Sequence, residues 1–151
     1  MQIIYRVGYW PEQCGEELSG ADWPVPTDQS MIDPNWFGND KERVVRYLQS
    51  GHIYAAEMGY SWCRFNCGID DAKMGCYELT DGTWYWPEGL HHYIDKHDVI
   101  LPEVFLSHMR LNNFQVPEKA DWISWPYEQF QAECRFDDVL WKDWYHRRIS
   151  S

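Results

Sequence analysis

The chain has 151 residues, 44% of them hydrophobic, and a formal net charge of −11 at pH 7 from 24 acids against 13 Lys and Arg. That length suits one domain with a sizeable core, and the acidity argues against direct nucleic-acid binding, which needs a basic footprint. No apolar run approaches the ~18 residues of a membrane helix, and the N-terminus lacks the pattern of a secretory signal, so the five cysteines point to a reducing, cytoplasmic setting with free or metal-bound thiols.

Aromatic residues make up 17% of the chain, with ten Trp and ten Tyr. Ten tryptophans would crowd one small core. Some are therefore expected at the surface, where an apolar body with a polar handle suits an interface.

In chain order, Ile3, Ile4, Tyr5, Val7 and Tyr9 predict a first short strand. Residues 1–38 read as an acidic, loop-rich segment packed on the domain and pinned by Trp23 and Trp36. Residues 1–40 hold seven acids against Arg6 alone, and a loop of that length is either a docking arm or a cover for the core. Asn39 with Glu42 resembles a capping box. Val44, Val45, Tyr47 and Leu48 give the helix that follows its buried side, and Gly51 ends it. Residues 52–65 predict two strands broken at Gly59.

Asp81-Gly82 is a strong hairpin signal for a type I′ turn between arms at 77–80 and 83–86. Trp84 and Trp86 share one face of the second arm, and Thr83 and Tyr85 the other. Pro87 stops that strand and suits a helix start. Leu90, Tyr93, Ile94 and His97 form the inner stripe of the helix, with His91, Asp95 and Lys96 outside. Pro102 opens another helix with Val104, Phe105, His108 and Met109 inward. Val116-Pro117-Glu118 is a connection, 127–134 a short helix, and Asp137 or Asp138 the start of a last helix containing Trp141, Trp144 and Tyr145. The pattern predicts a single α+β domain over 1–151. Its antiparallel sheet has about four to five strands, with three to four helices packed on one face.

Three constellations carry chemistry. Cys63 and Cys67 would lie ~13 Å apart on a straight strand, but a turn at Asn66 to Gly68 brings them together as a knuckle. With Cys76, His92 and His97 they form a candidate zinc site, since thiolate plus imidazole suits zinc. Two features oppose it. His92 and His97 are about 140° apart on an ideal helix, and buried free cysteine is a common structural residue. The same residues would also serve a Cys/His nucleophilic site, though no thiol-enzyme motif surrounds them. The third is a carboxylate pair such as Glu78 with Glu88. A ligand site framed by Glu78, Asp81, Glu88, His92 and His97 competes with the simpler reading of a hairpin packed on a helix. No glycine-rich phosphate loop or hydrolase motif is present, and no catalytic residue is assigned.

The acidity favours a basic protein partner. The leading expectation is a non-catalytic module or inhibitor that occludes a basic site, as immunity or anti-defence proteins do. Electrostatic steering would come from Glu12, Glu16, Glu17, Asp22 and Asp28, with anchors Trp10, Trp23, Trp36, Trp122 and Trp125. A zinc-containing domain built on the Cys/His cluster is the alternative, and an acidic mimic of nucleic acid a third reading.

Three stretches also carry a likeness: residues 40–51, Gly59-Tyr60-Ser61-Trp62-Cys63-Arg64-Phe65, and Glu78-Leu79-Thr80-Asp81-Gly82. They continue with Trp86-Pro87-Glu88-Gly89-Leu90, His92-Tyr93, His97 and Leu101-Pro102. Over roughly residues 33–108 the chain resembles a family of small bacterial proteins without an assigned activity, so the resemblance implies no catalytic residue. Size, acidity and aromatic content are also similar to those of toxin-immunity proteins.

Overall fold

The structure, a computed structural model, describes residues 1–11 and 23–150. Among these residues the order is β1 (Gln2–Arg6), α1 (Lys41–Gln49), β2 (His52–Ala56), α2 (Asp71–Met74), β3 (Tyr77–Thr80) and β4 (Trp84–Pro87). There follow α3 (Leu90–His97), α4 (Glu103–Leu111), α5 (Tyr127–Glu133), β5 (Cys134–Asp137) and α6 (Val139–Ile149). The fold is α+β, built on one five-stranded sheet in the order β2-β3-β4-β1-β5.

The sheet is mixed, which corrects the antiparallel expectation. β2, β3 and β4 are antiparallel neighbours, but β1 enters between β4 and β5 and runs parallel to both. Parallel neighbours must be joined by crossovers. Here β1 and β4 are distant in sequence, so local periodicity carries no signal for their pairing. β5 was itself unforeseen. Cys134 leaves the short helix and starts a strand that pairs with Gln2. Conversely, one strand occupies residues 52–56, and a loop replaces the second strand expected before residue 65.

Helices cover both faces, not one. The reason lies in β4, whose four residues Trp84, Tyr85, Trp86 and Pro87 are all buried. A strand without a polar face needs cover on both sides. On one side Trp84 stacks on Phe105 of α4, and Trp86 lies against Tyr47 of α1. On the other, Tyr85 packs with Tyr54 and Phe136, and this cluster extends to Trp122 and Phe130. The predicted division of Trp84 and Trp86 from Tyr85 therefore holds. The six α-helices exceed the three to four expected because α2, α5 and their neighbours are short.

Local chemistry adjusts three details. The hairpin loop is Gly82-Thr83, not Asp81-Gly82: Asp81 N–H donates to the Trp84 carbonyl. Gly82 takes φ +98° at the first central position, where a type II′ turn wants glycine. Asp81 instead folds its carboxylate under the turn and accepts from the N–H groups of Thr83 (2.9 Å) and Trp84 (2.7 Å). The Asn39 capping box does not form. A 3-10 turn over Gly38–Asp40 leads into α1, and Asp40 pairs with Arg43 and Arg110. In α4 the inward residues are Phe105, Leu106 and Met109, while Val104 is exposed.

Candidate functional site

The loop between β2 and α2 contains Cys63 and Cys67. Asn66 N–H donates to the Cys63 carbonyl at 3.0 Å, and Asn66 (φ +50°) and Gly68 (φ +89°) adopt left-handed conformations. Such residues reverse a chain tightly, which is the turn expected here. It sets the two thiols side by side. Tyr93 of α3 fastens the loop from below: its hydroxyl accepts from Arg64 N–H (3.0 Å) and donates to the Trp62 carbonyl (3.1 Å).

His92 and His97 come from α3. An ideal helix would turn them apart, but the last turn is not ideal. Asp98 is left-handed (φ +55°), and the N–H groups of Asp98 and Val99 both donate to the Tyr93 carbonyl. These 6→1 and 7→1 bonds are wider than the 5→1 pattern of the helix itself and open its last turn around the left-handed Asp98. In that ending the two rings approach to 5.1 Å between centroids. Phe65 stacks flat on His97 at 4.1 Å and fixes its plane.

Four donor atoms converge in consequence. Those of Cys63, Cys67, His92 and His97 all lie within 4.8 Å of one another. Cys63 Sγ is 3.4 Å from His97 Nε2, and Cys67 Sγ is 3.4 Å from His92 Nε2. Tetrahedral zinc with S at ~2.3 Å and N at ~2.0 Å spaces its donors roughly 3.3–3.8 Å apart. The cluster is therefore near the size zinc requires and needs only a small contraction. Burial, with the neighbouring His97 and His91, pushes the His92 pKa down, and burial also lowers that of His97. Both rings thus favour the neutral, ligating form. Burial raises the Cys63 thiol, so a metal taking it as thiolate releases a proton.

Cys76 is not part of the cluster, which corrects its place in the expected ligand set. After the knuckle, α2 and Gly75 carry the chain away to β3, where Cys76 N–H donates to the Glu88 carboxylate at 3.1 Å. The ligand frame of Glu78, Asp81, Glu88, His92 and His97 is likewise divided. Asp81 is buried under the hairpin, accepting the Tyr47 hydroxyl at 2.6 Å and lying 3.1 Å from His108 Nε2. These partners were missed because nothing local in the sequence links them to Asp81. Glu88 also accepts from Tyr77 N–H at 3.1 Å. Glu78 accepts from the Tyr9 hydroxyl. Burial and the proximity of Glu57 push its pKa up to about 8. Glu78 and Glu88 both border a cavity of about 210 Å³.

The tryptophans expected as partner anchors are placed inside. Trp10, Trp23 and Trp122 are buried, and Trp36 and Trp125 are partly buried against the core. Asp28 caps the 3-10 turn Gln29–Met31 and accepts from the Tyr145 hydroxyl. Glu12, Glu16, Glu17 and Asp22 lie outside the described residues. No helix among the described residues is long and apolar enough to cross a membrane. In comparisons with known proteins, no family model, no curated protein and no solved structure matches the chain.

Proposed function

We propose that the protein is a zinc-holding domain in which Cys63, Cys67, His92 and His97 bind one metal ion. The observation that carries this reading is the convergence of two thiols and two imidazoles within 4.8 Å, on a knuckle and a helix end both shaped by left-handed residues. Four protein donors fill a tetrahedral shell, the mark of a structural rather than a catalytic zinc site. The ion would cross-link the loop to α3, joining segments that are some 30 residues apart in sequence and otherwise held by Tyr93 and Phe65. Metal analysis of tag-free protein purified without chelator should find about one equivalent of zinc, abolished in Cys63→Ser and His97→Ala. Cys76→Ser should retain it fully, because Cys76 lies outside the cluster. Zinc below about a tenth of an equivalent in folded wild-type protein overturns the reading.

A second reading is favoured by the net charge of −11 and by aromatics that do reach the surface, among them Tyr60, Trp62, Tyr77 and Tyr127. It is an acidic module that occludes a basic site on a partner protein, in the manner of an immunity or anti-defence inhibitor. Charge steering acts on encounter. With a captured partner, salt should therefore slow association more than it speeds dissociation, and an association rate indifferent to salt would remove the steering.

A further inference from the structure

We propose that the cavity beside the metal cluster binds an organic ammonium ion, a protonated or quaternary amine carried on a short apolar chain. The cavity lies between the end of β2, the start of β3 and the first turn of α3, and its volume is about 210 Å³. Pockets for drug-sized ligands run from about 300 to 1,000 Å³, so this one fits a smaller group, on the scale of a lysine side chain or choline.

Its lining sets the charge of the occupant. Glu57, Glu78 and Glu88 supply carboxyl groups, and among the described residues no Lys, Arg or His borders it. Its chemistry sets the kind of cation. A hard metal ion wants six to eight oxygens, whereas four aromatic residues line this space, Tyr60 and Tyr77 exposed and Trp10 and Tyr93 almost wholly buried. Glu88 is already engaged with two backbone N–H groups. Aromatic walls with a carboxylate at one side are what an ammonium recognises, through the ring quadrupole and the opposite charge together.

The fold builds this arrangement at some cost. Gly75, at φ +78°, leaves no room for a side chain because a Cβ there would overlap the Glu88 carboxylate. Glu57 N–H donates to the Cys76 carbonyl at 2.7 Å, and Ser61 N–H to the Gly75 carbonyl at 3.1 Å, so the wall formed by residues 57–61 is tied to the opposite side. Glu78 is only 5% exposed. The groups facing it are Tyr9 beyond β1, Tyr85 on β4, Glu57, and Arg6. The Arg6 guanidinium is held by Asp138 at 2.7 Å, so Glu78 lacks a dedicated counter-charge and keeps its proton at neutral pH. An ammonium entering the cavity supplies that charge. Glu78 then ionises and one proton leaves to the buffer.

The site stands apart from the metal reading, since no metal ligand lines the cavity. The test uses full-length protein whose zinc content is measured alongside. Saturation-transfer NMR would compare choline and n-butylammonium with 3,3-dimethyl-1-butanol, the uncharged isostere of choline. Both cations should bind, at least about tenfold more tightly than the alcohol. Glu78→Gln has the shape of the protonated acid and so preserves the fold, but it cannot ionise, and the preference for cations should fall about tenfold. Exposed Glu57→Gln should weaken binding by a smaller factor, with zinc content unchanged in both variants. A blocked lysine tripeptide forms a second arm. Tighter binding of the peptide assigns the site to a partner's side chain, and tighter binding of the free amines assigns it to a small molecule. Equal binding of choline and the alcohol overturns the proposal, as does no transfer from any cation or peptide to folded wild-type protein. Wild-type affinity in Glu78→Gln overturns it too.

Discussion

Glu78 shows how burial changes the preferred state of a side chain. With its surface 5% exposed and Glu57 close by, the neutral acid is favoured over the carboxylate by desolvation above all. Its pKa in the folded protein is about 8, against about 4.3 in an unfolded chain. Between these values the folded state holds a proton that the unfolded state has lost. Stability from this group is therefore present at low pH and disappears as pH rises towards 8. Replacing Glu78 with Gln removes the titration. Melting temperatures from pH 5 to 8.5 should fall less steeply in Glu78→Gln than in wild type, with the gap at the alkaline end on the order of ten degrees, since the linkage is a few kcal/mol and 1 kcal/mol corresponds to about 2–4 °C at this size. Parallel curves would mean that Glu78 is charged in the folded state.

At the scale of elements, the cluster depends on two short pieces of irregular backbone. The 57–70 loop has no strand partner across the knuckle, and the end of α3 closes on wide bonds to the Tyr93 carbonyl. Both belong to the less stable end of the local-stability spectrum unless something ties them. Under the zinc reading the ion is that tie. Chelation should raise amide exchange in residues 61–68 and 95–99, while β1 and β4 at the centre of the sheet stay protected. Unchanged exchange in the loop after complete zinc removal would make the ion incidental to the loop. The same pieces show what sequence can and cannot tell. Cys63 and Cys67 were legible because Asn66 and Gly68 are turn formers lying between and beside them. His92 and His97 were discouraging on an ideal helix, because the wide ending depends on Asp98 in a left-handed conformation that its residue type permits but does not require. Cys76 was legible as a cysteine near the cluster, but its exclusion depends on α2, a single turn of helix with weak periodicity. The hairpin, α1, α3, α4 and α6 followed from local pattern. The insertion of β1 between β4 and β5 did not, since a pairing between residues 2–6 and 134–137 leaves no trace in either segment alone.

For the molecule as a whole, the aromatic content resolves into an interior. Indoles can be buried when their N–H groups find acceptors, and these do: Trp36 donates to Leu101, Trp86 to Leu48, Trp122 to Gly82 and Trp141 to Tyr9, each at 2.9–3.0 Å to a backbone carbonyl. Apart from the buried Glu78 and Asp81, most acids of the described residues lie at least partly at the surface. Among the Lys and Arg ion pairs of the described residues, Arg46 with Glu42 and Lys96 with Asp95 are exposed on both sides, and pairs of that kind contribute only about 0–1 kcal/mol each. A surplus of 11 negative charges acts in the other direction on the compact state. The two effects respond oppositely to salt, so their balance is measurable. A chain of this length has a radius of gyration of about 15 Å when folded. The screening length is ~30 Å at 0.01 M salt and ~8 Å at 0.15 M. At low salt nearly every acid repels every other, whereas at physiological salt only neighbours interact. Stability should therefore increase with salt. Raising NaCl from 0.01 to 0.15 M should lift the melting temperature by several degrees, since 1 kcal/mol corresponds to about 2–4 °C at this size. KCl should give the same rise, because screening depends on ionic strength and not on the ion. A melting temperature that falls with salt would show that the ion pairs outweigh the surplus, and that the acids are arranged around bases rather than against one another.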